Sequence, residues 1–196
     1  MRQVVVLVGL PGSGKTAYHR KFPEWVVVSK DAFRHGIFRH SFNPAYEETV
    51  DRLFAHALVE AIDSSAEVVC IDDVNLLRNE RASYIELAEL SGREVHAVVM
   101  PHEPLDVLFD NVQADLEQLS ICRGDAAISV TPFPRERFDA MVRCYQAVLQ
   151  DEGFARIQHE SRLPRKREVQ QAAVRPKRVR RKREEKQAPI PLFAAS

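Results

Sequence analysis

Apolar runs recur along the chain at intervals that leave room for a helix between each pair. Residues 4–8, "VVVLV", are continuous and β-branched, which suits a strand covered on both faces. "WVVVS" at 25–29, "VVCI" at 68–71 and "VHAVVM" at 95–100 repeat the pattern, and a weaker run lies at 154–158. The segments between them change period. Over 44–63, Val50, Leu53, Phe54, Ala57, Leu58, Ala61 and Ile62 recur every three or four residues, an amphipathic helix. Asn43 is a fitting N-cap, with Pro44 at the first helical position. Helices are also expected over 78–90, stopped by Gly92, and over 105–119 and 134–149. Strands alternating with helices predict an α/β domain, a parallel sheet with helices on both faces. In such a sheet the ligand lies beyond the carboxyl ends of the strands, so residues just after each strand share one rim.

From Arg162 onward the periodicity fails. The segment 162–196 has prolines and charge runs with little apolar pattern, and is expected to be a disordered basic tail behind a folded domain over 1–161. The formal net charge of zero hides this division. The last 35 residues hold 12 Lys/Arg and 3 Asp/Glu, and the rest of the chain holds 16 and 25. An acidic body with a basic tail suits a nucleic-acid or membrane-surface partner, and the tail, poor in aromatics, suits phosphate-backbone contacts better than base stacking. Cys70, Cys122 and Cys144 form no CxxC pair and no disulfide framework. With no signal-peptide pattern and no membrane-length apolar run, a reducing, cytoplasmic protein is expected.

The chemistry begins at "GLPGSGKT". Gly9, Gly14, Lys15 and Thr16 match GxxxxGK[ST], directly after a strand. The loop of Gly9, Pro11, Gly12, Ser13 and Gly14 can turn its N–H groups onto phosphate oxygens. Lys15 then reaches the β- and γ-phosphates of ATP, and the Thr16 hydroxyl is a ligand for Mg²⁺. "VVCIDD" ends a second strand in carboxylates. Asp72 or Asp73 can hold Mg²⁺, directly or through water, or cap the segment that follows. No NKxD guanine motif is present, which argues against a GTPase switch.

Other rim residues bear on the acceptor. In "SKDAFR", Asp31 and Arg34 share a face if a helix starts there. Asp31 fits a general base toward an attacking hydroxyl, an N-cap, or both. "IDDVNLLRNER" adds Asn75, Arg78 and Arg81, and Asp73 is placed to pair with Arg34 across the rim. His35, His40 and His102 fit surface positions, and Trp25 fits packing.

"GLPGSGKT", "SKDAFR" and "IDDVNLLRNER", followed by "VTPFPRERFDAMVRCY", together resemble the bacteriophage-type polynucleotide 5′-hydroxyl kinase family over roughly residues 3–158. The resemblance implies a P-loop kinase-like parallel sheet of four to five strands. It implies Asp31 as the base that activates the 5′-hydroxyl, Arg34 at the nucleic-acid acceptor and Asp73 as the group that orients Arg34. It also implies a lid arginine, matched here by Arg123. The family often carries a second lid arginine one turn earlier, where this chain has Leu119. Arg135 or Arg137 substitutes, or catalysis is weaker, or the acceptor differs.

The leading expectation is therefore an ATP- and Mg²⁺-dependent kinase acting on 5′ ends of DNA or RNA, with Asn75 at the acceptor side. It would serve nucleic-acid repair with partners in trans. A small-molecule kinase for a nucleoside, antibiotic or sugar nucleotide is the alternative. A nucleic-acid adaptor that binds ATP without transferring phosphate is the third reading.

Overall fold

The computed structural model describes residues 2–121 and 127–161. The polar–apolar pattern becomes five strands: β1 (Gln3–Val8), β2 (Val26–Ser29), β3 (Val68–Asp72), β4 (Glu94–Val99) and β5 (Arg156–His159). All pair in parallel, in the order β2-β3-β1-β4-β5. The helices are α1 (Lys15–His19), α2 (Lys30–Phe33), α3 (Pro44–Asp63), α4 (Arg78–Leu90), α5 (Leu105–Ile121) and α6 (Arg135–Cys144). A π-helical turn, Arg34–Phe38, continues α2. The expected α/β architecture, a parallel sheet of four to five strands, is observed with five; the tail over 162–196 lies outside the described residues.

β1 is central and its alternate residues face opposite layers. Val4, Val6 and Val8 pack with Phe54, Leu58 and Ile62 of α3 and Ile85 and Ala88 of α4. Val5 and Leu7 pack with Tyr18, Cys70, Val98 and Met100 on the other side. A third cluster of Leu10, Leu76, Leu108 and Phe138 joins the loop after β1 to α5 and α6. Asn43 caps α3, its side chain accepting from Ala45 N at 3.0 Å. The far end of α3 has a charged cap: the buried Arg93 guanidinium donates to the carbonyls of Ile62, Ser64 and Ala66.

Among the boundaries that differ from the sequence expectation are the end of α6 and the start of β5. The helix expected to reach residue 149 ends at Cys144, and Tyr145 is extended. The cause is Arg81. Its fully buried guanidinium donates to the carbonyls of Gln146 and Ala147 and makes a two-bond fork with Glu152 at 2.7 Å each. Those groups draw 146–152 away from a helical path. β5 starts at Arg156 rather than at residue 154, after a turn at Gly153 with φ 102°. Among the described residues, no helix is long and apolar enough to cross a membrane.

Candidate active site

The loop "GLPGSGKT" leaves the carboxyl end of β1 and feeds α1. Gly12 (φ 76°) and Gly14 (φ 92°) take left-handed conformations that glycine adopts without steric cost. Gly12 has a second reason to lack a side chain: a Cβ there would lie 2.1 Å from the Leu108 carbonyl oxygen. From the same helix, Asn111 Nδ2 donates to Gly12 O at 3.0 Å. α5 thus backs the loop from outside.

Lys15 donates to the carbonyls of Gly9 at 2.8 Å and Leu10 at 3.0 Å. Those oxygens occupy the donors that a phosphate would take. Burial lowers the Lys15 pKa, and Asp72, Asp73 and Asp31 pull it back up. The charges of three carboxylates thus act on one ammonium whose hydrogen bonds go to backbone carbonyls. Ser13 Oγ is buried without a hydrogen-bond partner among the described residues. A buried, unsatisfied hydroxyl in such a loop fits an absent anion. Thr16 is exposed at the second position of α1.

The carboxylates after β3 have different partners. Asp72 contacts His19 Nε2 at 3.1 Å. Asp73 accepts from Val74 N at 2.8 Å and pairs with Lys30 at 3.1 Å; Lys30 also pairs with Asp51 at 2.9 Å. Burial alone would lower the Lys30 pKa, but these two carboxylates raise it above the usual lysine value.

On the β2 side, Ser29 ends the strand and α2 starts at Lys30, so Asp31 is in the first turn rather than at the cap. Asp31 Oδ1 lies 2.6 Å from Arg34 Nη1, on one face as the spacing predicts, and the Asp31 side chain is 66% exposed. The partner expected for Arg34 is corrected by the structure. Asp73 is engaged by Lys30, and Arg34 is held by Glu47, in the first turn of α3, with bonds of 3.0 and 2.6 Å. Burial disfavours the Arg34 charge, and Glu47 and Asp31 more than restore it.

Asn75 is a further correction. It is 1% exposed, with φ 51°, and its amide donates to Leu7 O at 2.7 Å and to Asp73 O at 3.2 Å. It fastens the β3 exit to β1 beneath the surface. Arg81 is also internal, and Arg78 pairs with Asp151 at 3.1 Å. Arg123 lies outside the described residues. Of the two later arginines, Arg135 is matched by Asp106 at 2.8 Å and Asp139 at 2.9 Å. Arg137 is half-buried and stacks on Phe42, 3.7 Å from the ring centroid. Glu47 and Asn111 carry no motif, and Lys30 lies in "SKDAFR" without a role assigned from the sequence. Glu47 in a first helical turn reads from sequence only as a dipole partner.

A strand, a glycine loop gripping its own lysine, a second strand ending in carboxylates and an acid–arginine pair in the helical segment after β2 share one rim. Residues 4–117 match AAA_33, an AAA domain family. The chain belongs to this family. Its five parallel strands and the helices between them form a P-loop kinase-like fold. Kti12 from Chaetomium thermophilum in complex with ADP-AlF3 superposes with a TM-score of 0.53 at 16% identity, over 86% of this chain and 94% of that one. The Pnkp1/Rnl/Hen1 RNA repair complex gives 0.56 at 21%, over 73% of this chain and 43% of that one. A gluconokinase from Sinorhizobium meliloti 1021 gives 0.50 at 16%, over 81% and 83%. At these identities the likeness is one of fold. No curated protein matches the chain in sequence.

Proposed function

We propose that the protein is an ATP-dependent polynucleotide kinase that transfers the γ-phosphate to the 5′-hydroxyl of DNA or RNA. The observation that carries this reading is the Asp31–Arg34 pair, on the rim beside β2, with the Asp31 charge reaching Lys15. An exposed carboxylate near a phosphate grip can take a proton from an incoming hydroxyl. Asp31 accepts that proton as the hydroxyl oxygen bonds to phosphorus and the bond to ADP breaks. Lys15 exchanges the carbonyls of Gly9 and Leu10 for the β- and γ-phosphates. Arg34, fixed by Glu47, orients the acceptor. The protein supplies position and field rather than covalent chemistry.

The residues present fit a magnesium ion. It takes one or two protein oxygens and fills its sphere with phosphates and water. Thr16 and Asp72 would supply those oxygens, and the described residues hold no group of three or more His, Cys, Asp or Glu arranged for a metal. The ion would neutralise charge on the β- and γ-oxygens.

The test is incubation of γ-labelled ATP with 5′-hydroxyl oligonucleotides. Label should appear on the 5′ end, and Asp31→Asn should lower its rate about 10²- to 10⁴-fold while ATP binding persists. Label that survives Asp31→Asn undiminished would remove the assigned base. A small-molecule acceptor is the second reading, favoured by the acidic body and by Arg34 being already matched by two carboxylates. Label confined to a nucleoside or sugar in a parallel panel would select it.

A further inference from the structure

Arg137 is a guanidinium beside Arg34 and Phe42 that has no ion pair among the described residues. It belongs to the first turn of α6, half-buried, with Cζ 3.7 Å from the Phe42 ring centroid and 5.3 Å from that of Phe133. Among the described residues, no carboxylate lies within ion-pair distance and none of its N–H groups has an acceptor. Arg135, on the same helix, has two carboxylates. A cation drawn partly out of water costs free energy until it gains a partner, and stacking on a ring returns only part of that.

Its neighbours say which substrate it faces. Arg34 lies against the same ring, with Cζ 6.0 Å from the Phe42 centroid. Burial lowers the Arg137 pKa and the Arg34 charge lowers it further, with Glu47 and Asp31 opposing. These are the acceptor-side residues, not those of the phosphate loop. The backbone that carries the ring is tied down. Ser129 N donates to Arg39 O at 2.7 Å, Ser41 N to Ser129 O at 2.9 Å and Thr131 Oγ1 to Phe42 O at 2.6 Å. Two arginines are therefore fixed on one aromatic plate, and only Arg34 is neutralised.

We propose that Arg137 is an acceptor-binding residue: held on Phe42 beside Arg34, its guanidinium receives an anionic group of the acceptor, a backbone phosphate when the acceptor is a nucleic acid. This rests on the kinase reading above. It assigns Arg137 to the acceptor and not to the phosphates of ATP.

Steady-state transfer to a single-stranded 5′-hydroxyl oligonucleotide by the full chain tests it. Arg137→Ala should raise the oligonucleotide KM about tenfold or more, the loss expected for a charge-assisted hydrogen bond. The ATP KM should hold. The log–log dependence of the oligonucleotide KM on salt should flatten by about 0.7, because one phosphate fewer is neutralised. Arg137→Lys, which keeps the charge, should retain the wild-type slope. Should Arg137→Ala not fold, Arg137→Gln is read in the same way. A wild-type oligonucleotide KM and salt slope in the Ala or Gln variant would overturn the proposal and leave the kinase reading standing, as would a rise in the ATP KM instead. Absence of label from the oligonucleotide with the wild-type chain would overturn both.

Discussion

At the scale of single residues, sequence motifs mark groups whose chemistry is local, and miss those defined by a partner far along the chain. Lys15 and Thr16 are readable because the glycine loop fixes their place relative to β1. Asp31 and Arg34 are readable because three residues of helix bring them together. Glu47 and the place of Arg137 are not, since one meets Arg34 across 13 residues and the other, named from sequence only as a substitute lid arginine, meets Phe42 from a distant helix. Asn75 reads as a rim residue because it follows a strand, yet its left-handed backbone turns the amide inward. Gly12 offers a test at this scale. Gly12→Ala puts a Cβ 2.1 Å from Leu108 O and demands a left-handed conformation, which costs about 1–2 kcal/mol before any clash. The expected result is an ATP affinity at least about tenfold weaker, measured by calorimetric titration, with the far-UV spectrum of the sheet retained.

At the scale of elements, the strands and the helices α3 and α4 follow their hydrophobic periods, and the bounds of both helices match the pattern. The end of α6 does not follow it, because a buried charge outweighs helix propensity there. Arg81 has 0% exposed side chain and Glu152 has 2%. Burial alone would raise the Glu152 pKa, but the Arg81 fork and the Leu149 N–H hold it below the ordinary carboxylate range. The linkage has a definite sign. Near the unfolded value of about 4.3 the unfolded chain takes up a proton that the folded chain resists. The contribution is thus complete above that value and is lost as pH falls through the lowered folded value. Breaking a buried pair costs about 3–5 kcal/mol. Urea midpoints of Glu152→Gln should lie well below wild type at pH 7 and converge toward it below about pH 4. Parallel curves over that range would mean that Glu152 does not titrate with folding.

At the scale of the molecule, charge is divided between a body of net −9 and a final 35 residues of net +9. We expect the basic segment to draw polyanions toward a rim that the body's acidity would otherwise disfavour. With roughly six phosphates engaged on a single strand, the log–log salt slope of binding is about −4. A chain ending at Ser161 should lose most of that slope in fluorescence anisotropy titrations. An unchanged slope would assign all phosphate neutralisation to the folded rim, where Arg34 and Arg137 stand.

The buttress formed by Leu108 and Asn111 has one more consequence. A phosphate grip whose curvature is set by an adjoining helix does not have to freeze when its guest arrives, so little conformational entropy is forfeited on entry. Nucleotide capture then amounts to an exchange of oxygens at one ammonium, and selectivity for the three-phosphate form is left to groups that meet its outermost end.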